Sequence, residues 1–383
     1  MTGRVVAIAK GGAGVVRDGA RTVFIPGTIA GETVEFTVCG KRRSAWQGTL
    51  QRVLEASPRR VDPPCPHYGE CGGCNLQHMS YDEQLRSKAG ILAANLKRIA
   101  RVEEMEIPAF LASPGERFRS KVEFQVRGGR AGFFARHSHR VVSVAGCLLL
   151  PQAVESFFLA RRPLLAAAEN ARLQVVSNGR DLAARLEPAA GGEEWLGPRR
   201  TVRIAIGPDE YRFAPDHFVQ SNLFQLQPML GLLEGVLERE RPDTAADLFC
   251  GAGFFTLPLA RHCRQVAAVE SDARSIEALR ANLGRSQARN VRVQRADVLR
   301  AGLPPAELTV VDPPRGGLTE RVIAALAAGP ARIVVYFSCD SATFARDLRM
   351  FNRHGYVLEE WQPIDNFPHS DHFEIFSLLK KAR

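Results

Sequence analysis

No apolar run in this 383-residue chain approaches the roughly 20 residues that cross a bilayer, so no membrane span is expected. The N-terminal MTGRVVAIAKGGAG lacks the apolar core of a secretory leader and carries no sorting signature. Without such a leader, the eight cysteines are expected as cytoplasmic thiols or metal ligands rather than as disulfides. Neither an internal repeat nor a low-complexity tract is present. What remains is an ordinary soluble composition, 45% apolar and 24% charged, too long for one core and expected to form two or three domains.

The net charge is +10, and residues 1–64 supply half of the excess, with ten Lys and Arg against five Asp and Glu. A basic module suits a polyanion, because each cation that neutralises a phosphate releases counterions; a solubility charge on a small β domain explains it equally well. The runs RVVAIA, TVFIPGTIA, ETVEFTVCG and QGTLQRVLEA are parted by KGGAG, AGE and KRRSAW. They predict about five short strands in a closed barrel of the oligonucleotide-binding kind over residues 1–60.

A central α+β segment over residues 61–215 opens on a cysteine-bearing loop. A helix over YDEQLRSKAGILAANLKRIA follows, with Ser80 as its N-cap. Then come a hairpin of FRSKVEFQV and AGFFAR, a helix over AVESFFLARRPLLAAAEN, and strands at RLQVVS, DLAARLEP and TVRIAIG. From about residue 241 the apolar strands AADLFC, QVAAVES, VRVQRAD, LTVVDPP and RIVVYFSC alternate with helices. That pattern predicts an α/β fold, a Rossmann-like domain over 216–383 whose parallel sheet is covered on both faces.

DLFCGAGFFTLPLA is a strand, a Gly-x-Gly turn and a helix, in which Gly251 and Gly253 let a ligand approach the backbone. No Lys-Ser or Lys-Thr follows the glycines, which disfavours a phosphate-cradling loop. Glu270, ending the next strand, is placed to accept hydrogen bonds from ribose hydroxyls, and Asp297 to meet an adenine edge. The apolar helix start suits a cofactor without pyrophosphate, so S-adenosylmethionine fits better than NAD. VVDPPRGG puts Asp312 in the same crevice. Such loops also occur in enzymes that methylate exocyclic amines of bases.

Cys339, in YFSCDSATFARDL, ends the fifth strand of this series, where the start of a helix would favour its thiolate. A lone cysteine there is more often a small buried hydrophobe. Glu374, in IDNFPHSDHFEIFSLL, falls in an apolar strand, where a carboxylate is costly unless used, although an edge-strand glutamate facing solvent is the plain alternative. The spacing of His369, Asp371 and His372 matches no common zinc motif. A cysteine and a carboxylate beside a methyl donor suggest attack at C6 of uracil, methylation of C5, and removal of the C5 proton by a base.

FVQSN, DLFCGAGFFTLPLA, DPPR, FSCD and FPHSDHFE, in that order, resemble the RNA 5-methyluridine methyltransferase family, most of all its iron–sulfur members acting on large-subunit ribosomal RNA. The likeness covers nearly the whole chain, residues 1–60 resembling the TRAM barrel that these enzymes often carry. It implies Cys339 as nucleophile and Glu374 as proton acceptor. It further implies Gln220, Phe249, Glu270 and Asp312, with Asp297 alongside, as cofactor contacts, and Phe218 as an aromatic touching a flipped-out base. Asp340-Ser341 replaces the family's usual Asn-Pro after the cysteine, which predicts a less rigid loop, and Phe254 stands where some members have asparagine.

Cys65, Cys71 and Cys74 crowd into CPHYGECGGC, and Cys147 is the expected fourth ligand. Cys39, Cys250 and Cys263 are expected as plain thiols. Four thiolates accept either zinc or a 4Fe-4S cluster, and the resemblance favours the cluster. The expectation is a cytoplasmic, monomeric S-adenosylmethionine-dependent enzyme making 5-methyluridine in structured RNA, with 23S ribosomal RNA as its target. The competitors are a transfer-RNA uridine enzyme, an amine methylator and a non-catalytic RNA-binding factor.

Overall fold

The computed structural model describes the chain except for Ala20, Arg43, Ser44, Glu104 and Arg383, so the tip of the KRRSAW turn lies outside the described residues. Strands β1 (Thr2–Ile8), β2 (Ala13–Asp18), β3 (Arg21–Pro26), β4 (Thr33–Arg42) and β5 (Ala45–Glu55) close a barrel in the order β1-β2-β3-β5-β4. Alternate residues such as Val16, Val23, Ile25, Val34 and Phe36 fill it. β2, absent from the runs read above, pairs along its length with β3. Leu76, Met79 and Ile91 complete the barrel's core, so the segment after the barrel is packed against it.

Helix α1 (Tyr81–Asn95) starts at Ser80 as expected, but the serine hydroxyl has no hydrogen-bond partner and caps nothing. The central sheet comprises β6 (Lys121–Arg127), β7 (Arg130–Phe134), β8 (Val141–Ser143), β9 (Asn170–Ser177), β10 (Leu182–Pro188) and β11 (Glu194–Trp195). Helix α2 (Gln152–Ala167) covers it through Val154, Phe158 and Leu165. The hairpin of β12 (Val202–Ile206) and β13 (Asp209–Phe213) lies before residue 215 in sequence. Its Val202, Ile204, Ile206, Tyr211 and Phe213 are nevertheless buried in the core of the C-terminal sheet.

That sheet is formed by β14 (Thr244–Leu248), β15 (Gln265–Glu270), β16 (Val291–Arg295), β17 (Leu308–Val311), β18 (Ile333–Ser338), β19 (Tyr356–Ile364) and β20 (Glu374–Lys381). Its order is β16-β15-β14-β17-β18-β20-β19. The first five are parallel, as the apolar alternation predicts, and β20 and β19 add an antiparallel hairpin. Helices α3 (Leu226–Glu240), α4 (Thr256–His262) and α5 (Ala273–Ser286) pack on one face; α6 (Glu320–Ala328), α7 (Ser341–Arg353) and the end of α1 pack on the other. Since β20 lies between β18 and β19, Glu374 is not on an edge strand and does not face solvent.

Candidate active site and cysteine cradle

The carboxyl ends of the parallel strands meet in one crevice, as the topology of open α/β sheets requires. The loop after β14 enters it through a strained backbone: Phe249 has φ 64°, Gly251 52° and Gly253 95°. A Cβ on Gly253 would lie 2.6 Å from Leu279 Cδ1, so both conformation and space require glycine there. A bulky residue at positive φ is costly, and Phe249 holds it because the surroundings over-determine the loop. Asn282 of α5 donates to the Ala252 carbonyl (3.0 Å) and accepts from the Arg212 amide (2.9 Å), while the Tyr211 hydroxyl donates to the Phe254 carbonyl (2.9 Å). The β12–β13 hairpin therefore shapes this loop.

Phe218, Gln220, Phe249, Gly251, Phe254 and Asp312 line a single pocket beside the loop. Phe218 is 61% exposed at its mouth, which leaves its ring open to stack on a flat ligand. Gln220 donates to Asp312 Oδ2 (2.8 Å). One Glu270 oxygen accepts from the Gly251 amide (3.0 Å), and the other accepts from the amides of Ser271 (2.6 Å) and Asp272 (2.9 Å). Asp297 is exposed just past β16, beside the Ala296 amide that bonds the Glu270 carbonyl (2.9 Å). Phe254 fills its place with rings, packing on Phe255 and Tyr211.

β18 and β20 pair antiparallel as far as Ser338 and Ile375, so the next step of that register sets Cys339 opposite Glu374. Directly opposed side chains in such a ladder have Cβ atoms about 5 Å apart. β17 runs alongside β18, which brings Asp312 to the same end. Burial pushes the Cys339 thiol up to about 12, helped by the charges of Glu374 and Asp312 and opposed by Arg315. The expectation that the helix start would favour the thiolate fails in the free protein, because desolvation and neighbouring carboxylates outweigh it. Asp312 keeps some exposed surface, yet its carboxyl group is withdrawn from water and rises to about 7. Burial carries Glu374 well above the ordinary carboxylate range, with Asp312 adding to the effect. Its Oε2 and both polar ends of the neighbouring buried Asn366 lack partners among the described residues. Asn366 nevertheless lies near enough to the Glu374 carboxyl to oppose part of its rise, so the two form a buried polar pair beside Cys339.

The loop carrying Glu374 is tied down from outside. Lys88, fully buried on α1, donates to Asp365 Oδ1 (2.5 Å) and to the Phe367 carbonyl (3.0 Å), and Tyr81 donates to Asp365 Oδ2 (2.7 Å). His369 has φ 66°, donates through Nε2 to the Gly115 carbonyl (3.0 Å), and accepts the Asn75 and Leu76 amides at its own carbonyl (2.9 and 3.0 Å). It ties this loop to α1, to the segment before it and to the chain at Gly115. The loop after Cys339 is held by its own helix cap and by α1. Asp340 Oδ1 accepts the Ala342 and Thr343 amides (3.1 and 2.9 Å) and so caps α7, while Ser341 accepts from buried Asn95 (2.8 Å). Lys88, Asp365 and Asn366 went unread in the sequence. A lysine on the helix face that carries Gln84, Ile91 and Leu92 was the available signal.

Cys65, Cys71, Cys74 and Cys147 line one cavity, with Phe133, Val144 and Leu149 around them. Cys71 bridges to Ala135, the Gly72 amide donates to the Phe134 carbonyl (2.9 Å), and the Cys147 amide donates to Glu155 (2.8 Å). Burial raises Cys74 to about 12 and Cys147 to about 11, and the other thiols add to both. Among the described residues, no three such donors converge tightly enough to hold one metal ion. A groove of about 900 Å³ runs from this loop towards the Glu374 loop, lined by Lys10, Arg119, Lys121, Arg136, His139 and His372. Among the described residues, no helix is long and apolar enough to cross a membrane.

A sequence model of the tRNA (Uracil-5-)-methyltransferase family matches residues 199–299 and 305–382. The 23S rRNA (uracil(1939)-C(5))-methyltransferase RlmD of Pseudomonas entomophila is 33% identical over 97% of this chain and 92% of its own length. RlmD of Halomonas elongata is 33% identical over 97% and 88%. The crystal structure of the Pyrococcus abyssi tRNA (uracil-54, C5)-methyltransferase in complex with S-adenosyl-L-homocysteine superposes with a TM-score of 0.79. It covers 99% of both chains at 20% identity, a likeness of fold.

Proposed function

The chain belongs to the RNA uracil-C5 methyltransferase family, and we propose that it methylates C5 of one uridine in 23S ribosomal RNA with Cys339 as nucleophile and Glu374 as proton acceptor. The observation that carries the residue assignment is the register of β18 and β20, which opposes Cys339 and Glu374 at the end of the crevice. S-adenosylmethionine, held by Gln220, Phe249, Gly251, Gly253, Glu270, Asp297 and Asp312, supplies an electrophilic methyl group and a positive charge that favours the thiolate. Cys339 adds to C6 of uracil, which makes C5 electron-rich enough to take the methyl group. Glu374, whose raised pKa makes it a better base once ionised, then removes the C5 proton, and the thiolate leaves. Phe218 would stack on the flipped base, and the basic groove would carry the RNA backbone. On this reading the N-terminal barrel is a TRAM-type RNA-binding domain in a cytoplasmic enzyme.

Comparing 23S ribosomal RNA from cells with and without the gene tests the target. One 5-methyluridine should vanish from it; loss from transfer RNA alone would overturn the assignment.

The four cysteines are read as ligands of a 4Fe-4S cluster. Zinc needs all four sulfurs within about 2.3 Å of one point, whereas a cubane offers four irons at alternate corners of a larger body. Four thiols lining one cavity suit a metal group shared among them, and the family resemblance favours the cluster. The cluster would pin the cysteine loop to the central sheet and take no part in the uracil chemistry. Protein purified without air should be brown and contain about four irons and four sulfides per chain, so zinc without iron would refute the cluster.

A further inference from the structure

The loop between β1 and β2 of the barrel reaches across the molecule to both loops that carry the reacting groups. Lys10 forms an ion pair with Asp340 Oδ2, the residue that follows Cys339. The Gly11 amide donates to Asp371 Oδ2 (2.6 Å), three residues before Glu374. Asn75, beside the cysteine cradle, donates to the other Asp371 oxygen (2.6 Å) and to the Gly11 carbonyl (3.1 Å), and accepts the Asp371 amide (3.0 Å). Gly11 has φ 93° and Gly12 has φ 73°, so the loop takes a left-handed course that glycine permits, and a Cβ on Gly12 would lie 2.9 Å from Asn75 Cγ. The contact is therefore close on both sides.

Asp340 puts a negative charge next to the proposed nucleophile. The groups facing Cys339 are Glu374 from β20, Asp312 and Arg315 from the loop after β17, and Asp340 itself. His372 lies near both Arg315 and Lys10. Three acids against one arginine leave the thiol in a field that opposes its ionisation. Lys10 is the further cation that reaches Asp340, and it comes from a different domain.

We infer that the β1–β2 loop of the barrel is a working part of the catalytic site, with Lys10 as a positioning residue that neutralises Asp340 beside Cys339. This rests on the assignment of Cys339 as the nucleophile. The barrel then does more than hold RNA: its docking sets the charge around the thiol and seats the loop leading to Glu374. An RNA that displaced Lys10 from Asp340 would slow the attack, so the inference requires the pair to persist when substrate binds.

The rate at which iodoacetamide labels Cys339, read by peptide mass spectrometry at a fixed pH near 8, tests this without RNA. Buried Cys250 and Cys263 serve as internal controls for folding. Lys10→Met should slow labelling on the order of threefold to tenfold, as an uncompensated neighbouring charge would. Lys10→Met with Asp340→Asn should restore the rate, since asparagine still caps α7, and Lys10→Arg should retain it. With RNA, Lys10→Met should lower kcat and leave KM for RNA unchanged. An unaltered labelling rate in Lys10→Met, or a slow one persisting in the double variant, overturns the inference. So does a rise in KM alone, which would make Lys10 an RNA contact. If Cys339→Ala kept full activity, the nucleophile assignment would fail, while the labelling result would still report the pairing.

Discussion

Cys339→Ala should abolish methyl transfer, by at least about 10⁴-fold, while leaving S-adenosylmethionine binding intact. C5 of uracil is a poor nucleophile until a thiolate adds at C6, and Cys339 is the thiol that the end of β18 sets opposite Glu374; Cys250, which lines the pocket beside the glycine loop, is buried. The proposed cofactor contacts lie in the segment before α3, the loop after β14, the end of β15 and the loops beyond β16 and β17, so removing one sulfur after β18 should leave them in place. Calorimetric titration with the cofactor checks that half of the expectation, and methyl transfer to ribosomal RNA checks the other. Full activity in the variant would move the enzyme among amine methylators. Wild-type protein that binds the cofactor and methylates no RNA would make it a binding factor.

Glu374→Gln should stop the reaction one step later and give a different product. The thiolate can still add and the methyl group can still arrive, but the C5 proton has no acceptor and elimination stalls. A complex of protein and RNA that survives denaturing electrophoresis, carrying one methyl group, is the expected result. If the variant turns over normally, Asp312 becomes the better candidate for the base.

The same substitution should stabilise the fold, and the sign follows from the direction of the shift. Glu374 is raised in the folded chain, so folding costs nothing from it below the ordinary carboxylate range. As the pH rises above that range, the unfolded chain releases the proton and the folded chain resists doing so. The penalty grows until the pH passes the folded value. Glutamine removes it, so the melting temperature of Glu374→Gln should exceed that of the wild type by a few degrees at pH 8. The gap should shrink towards pH 5. An equal gap at both values would mean that the buried carboxylate is not the cause. Strain of this kind is expected where a site serves chemistry before stability.

Local pattern carried much of this molecule. The near-continuous apolar strands made a parallel sheet readable, because a strand covered on both faces has no polar side to show. Gly251 and Gly253 were legible because both hold a left-handed backbone that disfavours a side chain, and at Gly253 the packing of Leu279 adds to this. The antiparallel insertion of β20 was not readable, since an apolar strand looks the same in either direction; only its place beside β18 sets Glu374 against Cys339. The ties of the loop after Cys339 are likewise only partly local. Asp340 caps its own helix, which is a local property, but it is also held by Lys10, 330 residues away in the chain.

By itself, the sequence determined which chemical groups exist and which short stretches present them. It specified a glycine turn at a strand end, a cysteine before a helix, three crowded cysteines, and a methyltransferase-like order of motifs. These depend on backbone sterics and hydrophobic period, which act over a few residues. Tertiary structure alone decided which groups meet. It set Glu374 opposite Cys339, brought Cys147 to the other three cysteines, latched Asp365 with Lys88, and laid the barrel's Lys10 and Gly11 on the loops beside Cys339 and Glu374. Such contacts join residues far apart in the chain, and their partners follow from the packing of whole domains rather than from any local signal.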